Sequence, residues 1–147
     1  MASRIAILRQ WDYNIPVAQK RLDYDILIAE DDKDIAELMT TMLEKQGYSV
    51  KVTGNGAQAV QMIGKDRPDL VILDIMMPGM SGTEVLLKIK STPKIQNIPV
   101  IICSVLNDMD RVEKCFKWGA SDYVIKPFDS ARLSQKIRTL LVGPPEA

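Results

Sequence analysis

At 147 residues the chain is long enough for one domain with a full core and too short for two of ordinary size. Its 19 basic and 19 acidic residues cancel and its apolar runs fall far short of a bilayer span, so neither nucleic-acid nor membrane affinity is expected from bulk properties. There is no histidine, which excludes His-based acid–base catalysis, most zinc sites and a phosphohistidine on this chain.

Residues 1–23 read as an N-terminal extension or linker. Ile5, Leu8 and Trp11 recur at helical spacing, Pro16 interrupts, and Arg4, Arg9, Lys20 and Arg21 outnumber Asp12 and Asp23. A loosely docked extension is the preferred reading. The sharper one is that Trp11 and its apolar neighbours dock on the same domain or on a second copy. From Tyr24 a regular alternation begins and continues to residue 142, the span read as the domain. The first strand is Asp25-Ile26-Leu27-Ile28-Ala29, ending in the acids Glu30, Asp31 and Asp32. Ile35, Leu38, Met39, Met42 and Leu43 then mark one face of a helix that Gly47 closes. A second strand over Tyr48–Val52 passes through Gly54-Asn55-Gly56 into a helix over Ala57–Ile63.

The third strand enters after Pro68 and carries Val71, Ile72 and Leu73 into a single carboxylate, Asp74. Ile75, Met76 and Met77 follow before the Pro78-Gly79 turn, and so long an apolar run reads as a strand covered on both faces. A helix with Val85, Leu86 and Ile89 on its buried side stops before Pro93. Pro99 opens a fourth strand, Val100–Cys103, which ends at Ser104. Met109, Val112, Cys115 and Phe116 mark the fourth helix, with Phe116 assigned to the core and Trp118 to either packing or a partner contact. The fifth strand, Tyr123–Ile125, ends at Lys126-Pro127. The last helix takes Asp129 as N-cap and buries Leu133, Ile137, Leu140 and Leu141 before Gly143-Pro144-Pro145 stops it. Residues 143–147 form a short tail. No C-terminal output domain is expected in it, with a fragment cut from a longer chain as the alternative.

Five strands alternating with five helices predict right-handed crossovers and a doubly wound, mostly parallel α/β sheet. In such a sheet all strand carboxyl ends share one rim, where ligands bind. The strands deliver Glu30 and Asp31, Asp74, Ser104 and Lys126 to that rim. Two carboxylates ~5 Å apart repel by roughly 3 kcal/mol at an effective dielectric of ~20, so the cluster calls for a cation. Hard oxygen ligands with room for water suit magnesium. Together with a hydroxyl and an ammonium, the set fits phosphoryl transfer onto a carboxylate. Asp74 is then the acceptor, and the backbone carbonyl of Met76 a further candidate metal ligand.

The motifs that carry these residues are ILIAEDD, DIMMPGMSG, PVIICSV and DYVIKPF, spread from about Tyr24 to Leu141. Together they resemble the receiver domain of response regulators in bacterial two-component signalling. That resemblance implies the flavodoxin-like strand order 2-1-3-4-5. It implies phosphorylation of Asp74 by a sensor histidine kinase or phosphotransfer protein, with no enzymatic turnover beyond slow self-dephosphorylation. Mg2+ would be held by Glu30, Asp31, Asp74 and the Met76 carbonyl, while Ser104 and Lys126 contact the phosphoryl group. Tyr123 would be the aromatic that switches with Ser104, and the bond before Pro127 would be cis. A downstream protein would dock on the face of helix four, strand five and helix five, with homodimerisation open. No direct contact with nucleic acid or membrane is implied, and the setting is cytoplasmic, in keeping with Cys103 and Cys115 as reduced core residues.

Departures from the pattern bear on rate. Val105 stands where a small residue is usual, and Met76 and Leu106 are apolar, so a long-lived phosphoaspartate is expected and Val105→Ala should shorten its life. Three other classes are weaker. A flavin mononucleotide binder would not place Glu30-Asp31-Asp32 where phosphate must sit. A haloacid-dehalogenase-type phosphatase needs an Asp at the position of Met76. A phosphate-independent interaction module would not need the whole set of acids, Ser104 and Lys126.

Overall fold

The computed structural model describes residues 23–144, so the readings made on residues 1–22, the docking of Trp11 among them, and on the last three residues lie outside the described part. Strands β1 (Asp25–Ala29), β2 (Ser49–Thr53), β3 (Leu70–Leu73), β4 (Val100–Ser104) and β5 (Asp122–Ile125) alternate with five helices. The helices are α1 (Lys33–Lys45), α2 (Gly56–Asp66), α3 (Gly82–Ser91), α4 (Met109–Lys117) and α5 (Ser130–Val142). All strand pairs are parallel, in the order β2-β1-β3-β4-β5. The alternation predicts the parallel, doubly wound sheet, and the strand order is the one implied by the receiver-domain resemblance.

Side chains of successive strand residues point to opposite faces, and both faces are covered. Leu27, Ala29, Val71, Leu73, Val100 and Ile102 pack on one side against Ala59 and Ile63 of α2, Val85, Leu86 and Ile89 of α3, and Cys115 of α4. Ile26, Ile28, Leu70, Ile72, Ile101 and Cys103 pack on the other against Met39 and Leu43 of α1 and Leu133 and Ile137 of α5. Hence the four residues of β3 are all buried, which explains an apolar run without alternation. Both cysteines are free and buried, one on each side of the sheet. Among the described residues, no helix is long and apolar enough to cross a membrane.

Local signals place the helix ends. Gly47 adopts a positive φ of 97° after α1, and the amides of Gly47 and Tyr48 donate to the carbonyls of Glu44 and Leu43 at 3.0 and 3.2 Å. Gly119 repeats this pattern after α4, with Gly119 and Ala120 donating to Phe116 and Cys115. The structure corrects several details. The strand before Asp74 ends at Leu73, and of the apolar trio beyond, Ile75 and Met77 pack inward while Met76 is exposed. Leu38 is exposed and Ala36 takes its place on the buried stripe of α1. Phe116 is exposed rather than core; of the two readings kept for Trp118, packing holds, since it lies against the cluster beneath α4. Helix α2 also runs on to Asp66, three residues past Ile63.

Candidate functional site at the carboxyl rim of the sheet

The parallel ladder continues one residue past the ends of three strands, and those residues carry the charges. The Glu30 amide donates to the Thr53 carbonyl at 2.8 Å, tying the end of β1 to β2. The Asp74 amide donates to Ala29 at 2.9 Å, and the Lys126 amide to Ser104 at 2.9 Å. Each functional side chain therefore leaves the backbone from a hydrogen-bonded position at a common level.

There the Lys126 ammonium donates to both the Glu30 carboxylate and, at 3.1 Å, Asp74 Oδ2. Its side chain is 8% exposed, with Glu30 at 2% and Asp74 at 7%, so this is a nearly dry charge cluster. Asp31 completes it from the exposed side: one carboxylate oxygen each from Glu30, Asp31 and Asp74 lie within 4.8 Å of one another. Burial pushes the Glu30 carboxyl above its usual range; the Lys126 and Asp32 N–H groups pull it back and Asp74 adds to the rise. Burial alone would lower the Lys126 ammonium, but Glu30 and Asp74 outweigh it and raise it. The Cys103 thiol is pushed up to about 12 by burial, which leaves it an inert core group.

Among the described residues, three acids against one ammonium leave this pocket with surplus negative charge. Oxygen donors that converge from one exposed and two buried carboxylates match what a hard divalent cation requires. The residues present therefore fit magnesium. The Met76 amide donates to Asp74 Oδ1 at 3.2 Å, which brings the Met76 backbone beside the Asp74 carboxylate while its side chain faces solvent.

Ser104 is fully buried at the end of β4, and its hydroxyl accepts from the Leu106 amide at 3.3 Å. The Tyr123 hydroxyl in turn donates to the Leu106 carbonyl, so both side chains engage one residue of the loop after β4. Tyr123 is largely buried, and burial raises its phenol pKa. The Lys126–Pro127 bond is cis.

Other contributors carry no functional side-chain signature. Asp32, third of the acidic run, serves as N-cap of α1 and accepts from the Asp34 and Ile35 amides; its place immediately before an apolar-periodic helix is the signal that separates it from its two neighbours. Leu106 acts through its backbone alone, which no sequence pattern marks. Gly82 opens α3 against the backbone of Asp74: a Cβ there would sit 2.0 Å from the Asp74 carbonyl oxygen.

The chain matches the family model for the response regulator receiver domain over residues 26–138. Among curated proteins, the DNA-binding response regulator MtrA of Mycolicibacterium smegmatis is 35% identical over 116 residues, 79% of this chain and 50% of MtrA. The chain thus spans about half the length of the curated relatives it matches. Among solved structures, the signal receiver domain of a signal transduction histidine kinase from Syntrophus aciditrophicus superposes with a TM-score of 0.76 at 35% identity, covering 84% of this chain and 94% of that one. The BeF3-activated N-terminal receiver domain of Klebsiella pneumoniae RstA gives 0.75 at 30%, covering 80% and 98%. The buried acid–lysine cluster at the rim, the strand order and these matches lead to one conclusion: the chain belongs to the response regulator receiver domain family.

Proposed function

We propose that this chain is a phosphoacceptor in which Asp74 takes a phosphoryl group from a phosphohistidine on a partner kinase or phosphotransfer protein. The bond from phosphorus to the donor nitrogen breaks as a bond to an Asp74 carboxylate oxygen forms, and the imidazole leaves with the electron pair. Lys126, already on Asp74 Oδ2, is placed to stay with the carboxylate and meet phosphoryl charge as it arrives. Glu30, Asp31, Asp74 and the Met76 carbonyl are the groups that would hold Mg2+. When bound, that ion neutralises phosphoryl oxygens. One phosphate per chain is transferred, without turnover of a free substrate. Met76, Val105 and Leu106 offer no polar side-chain group to orient an attacking water, which favours slow hydrolysis of the product.

The signal would pass through Leu106. Ser104 turning toward a phosphoryl oxygen gives up the Leu106 amide, and the Tyr123 hydroxyl held by the Leu106 carbonyl loses its anchor. Its relocation would alter the α4–β5–α5 face, the candidate surface for a downstream protein or a second copy. We place the work of this unit in the cytoplasm, without direct nucleic-acid or membrane contact. The reading rests chiefly on the single ammonium shared by Glu30 and Asp74. Intact-mass measurement after incubation with Mg2+ and a small phosphodonor tests it. Wild type should gain one phosphate and Asp74→Asn none; no gain by wild type would leave an interaction module that does not use phosphate.

A further inference from the structure

The site is framed by glycines whose backbone torsions any residue adopts. Gly54 and Gly56, on the turn from β2 into α2, both lie outside the left-handed region, so torsion does not require glycine at either. Close approach does. A Cβ on Gly54 would sit 3.2 Å from Asp31 Cα and 3.6 Å from the Glu30 carbonyl oxygen. A Cβ on Gly56 would sit 2.1 Å from the Met80 carbonyl oxygen and 3.0 Å from its carbonyl carbon. One turn therefore touches the loop that carries Glu30 and Asp31 and also the loop that follows Asp74.

That turn is itself held rigidly. Asn55 caps α2 by accepting from the Gln58 amide at 3.0 Å, and the Asn55 amide donates to Thr53 Oγ1 at 3.3 Å. The Thr53 hydroxyl donates to Gln58 Oε1 at 2.6 Å, while the Thr53 carbonyl accepts the Glu30 amide. The acceptor loop is fixed at its far side by Gly82, whose amide donates to the Ile75 carbonyl at 2.9 Å. An added methyl has backbone, not a flexible side-chain tip, to displace.

We infer that the Gly54-Asn55-Gly56 turn is the spacer that sets the separation of Asp31 from Asp74, and so the size of cation the rim accepts. Its two glycines are positioning residues that contribute no ligand. The inference rests on the proposed magnesium site. Mg2+ demands oxygen ligands at about 2.0–2.1 Å in tight octahedral geometry, whereas Ca2+ tolerates about 2.3–2.6 Å and looser arrangements. Forcing either loop outward should therefore weaken Mg2+ more than Ca2+.

The test is a titration of backbone amide resonances with Mg2+ and with Ca2+, for wild type, Gly54→Ala, Gly56→Ala and Gly64→Ala, with thermal unfolding of each. Gly64 lies on the same helix with nothing within 4 Å of its Cβ position, so its variant serves as the control. The expected result is a shift of about threefold or more in the ratio of the two affinities, toward Ca2+, in Gly54→Ala and Gly56→Ala and not in Gly64→Ala. A purely structural role would lower the unfolding temperature and leave that ratio unmoved. An unchanged ratio would overturn the inference. If Gly56→Ala does not fold, the milder contact of Gly54→Ala decides alone. Failure of the wild type to bind either ion would instead overturn the magnesium reading on which the inference stands.

Discussion

Remove the Lys126 ammonium and two carboxylates that are almost out of water face each other without a counter-charge. Stranding a buried charge in this way costs roughly 3 kcal/mol or more. Lys126→Met should therefore lose about 3 kcal/mol in urea unfolding without divalent ions, and millimolar Mg2+ should restore part of it, because only the folded chain assembles the three oxygens. A second residue with a measurable signature is Tyr48. Its hydroxyl is buried and makes no hydrogen bond among the described residues, and burial pushes its pKa up to about 12, with Arg138 opposing. The folded phenol holds its proton more tightly than the unfolded one. Its contribution to stability is therefore whole below the unfolded pKa of about 10 and is lost as pH rises to about 12. Tyr48→Phe should be more stable than wild type by about 1 kcal/mol at neutral pH. Urea unfolding across the alkaline range should show that advantage widening between these two values.

Helices were legible as elements, less so as faces. In α4 the run of Met109, Val112, Cys115 and Phe116 reads as one stripe, yet Cys115 is fully buried while Met109 and Phe116 are 67% and 45% exposed. A residue step of about 100° carries Phe116 off the narrow line that reaches the sheet. The chain then leaves the helix at Gly119, and this exit turns Trp118 back onto the core cluster. Periodicity describes positions inside a helix and is silent on the cap, which is why spacing misplaces Phe116 and does not decide between the two readings of Trp118. Leu38 and Ala36 in α1 differ for a related reason: the smaller side chain is a weak hydrophobic signal but sits on the line that packs. Trp118→Ala should cost about 2 kcal/mol in chemical unfolding and Phe116→Ala less than about 0.5 kcal/mol, the reverse of what hydrophobic spacing alone suggests.

Across the whole molecule, the rim could be read from sequence because parallel strands order their own ends. The run into Asp74, the acids after Ala29 and the lysine after Ile125 each follow a recognisable strand, and the βαβ alternation brings all of them to one edge. What stayed hidden acts through backbone. The Leu106 amide and carbonyl link Ser104 with Tyr123, and Gly54, Gly56 and Gly82 matter for atoms they lack. Among three consecutive acids, only the start of α1 reveals that Asp32 is used up by its cap.

The amides of Glu30, Asp74 and Lys126, each hung on the neighbouring strand's last carbonyl, make the rim a matter of phase. A side chain's direction along a strand reverses with every residue. One extra residue between Ile72 and Leu73 should swing the Asp74 carboxylate away from Lys126 and leave a chain that gains no phosphate by mass. The same insertion between the exposed Gln96 and Asn97 should leave phosphate uptake intact. Loops at the edge opposite the rim are free to change length, whereas the parity of the strands is not.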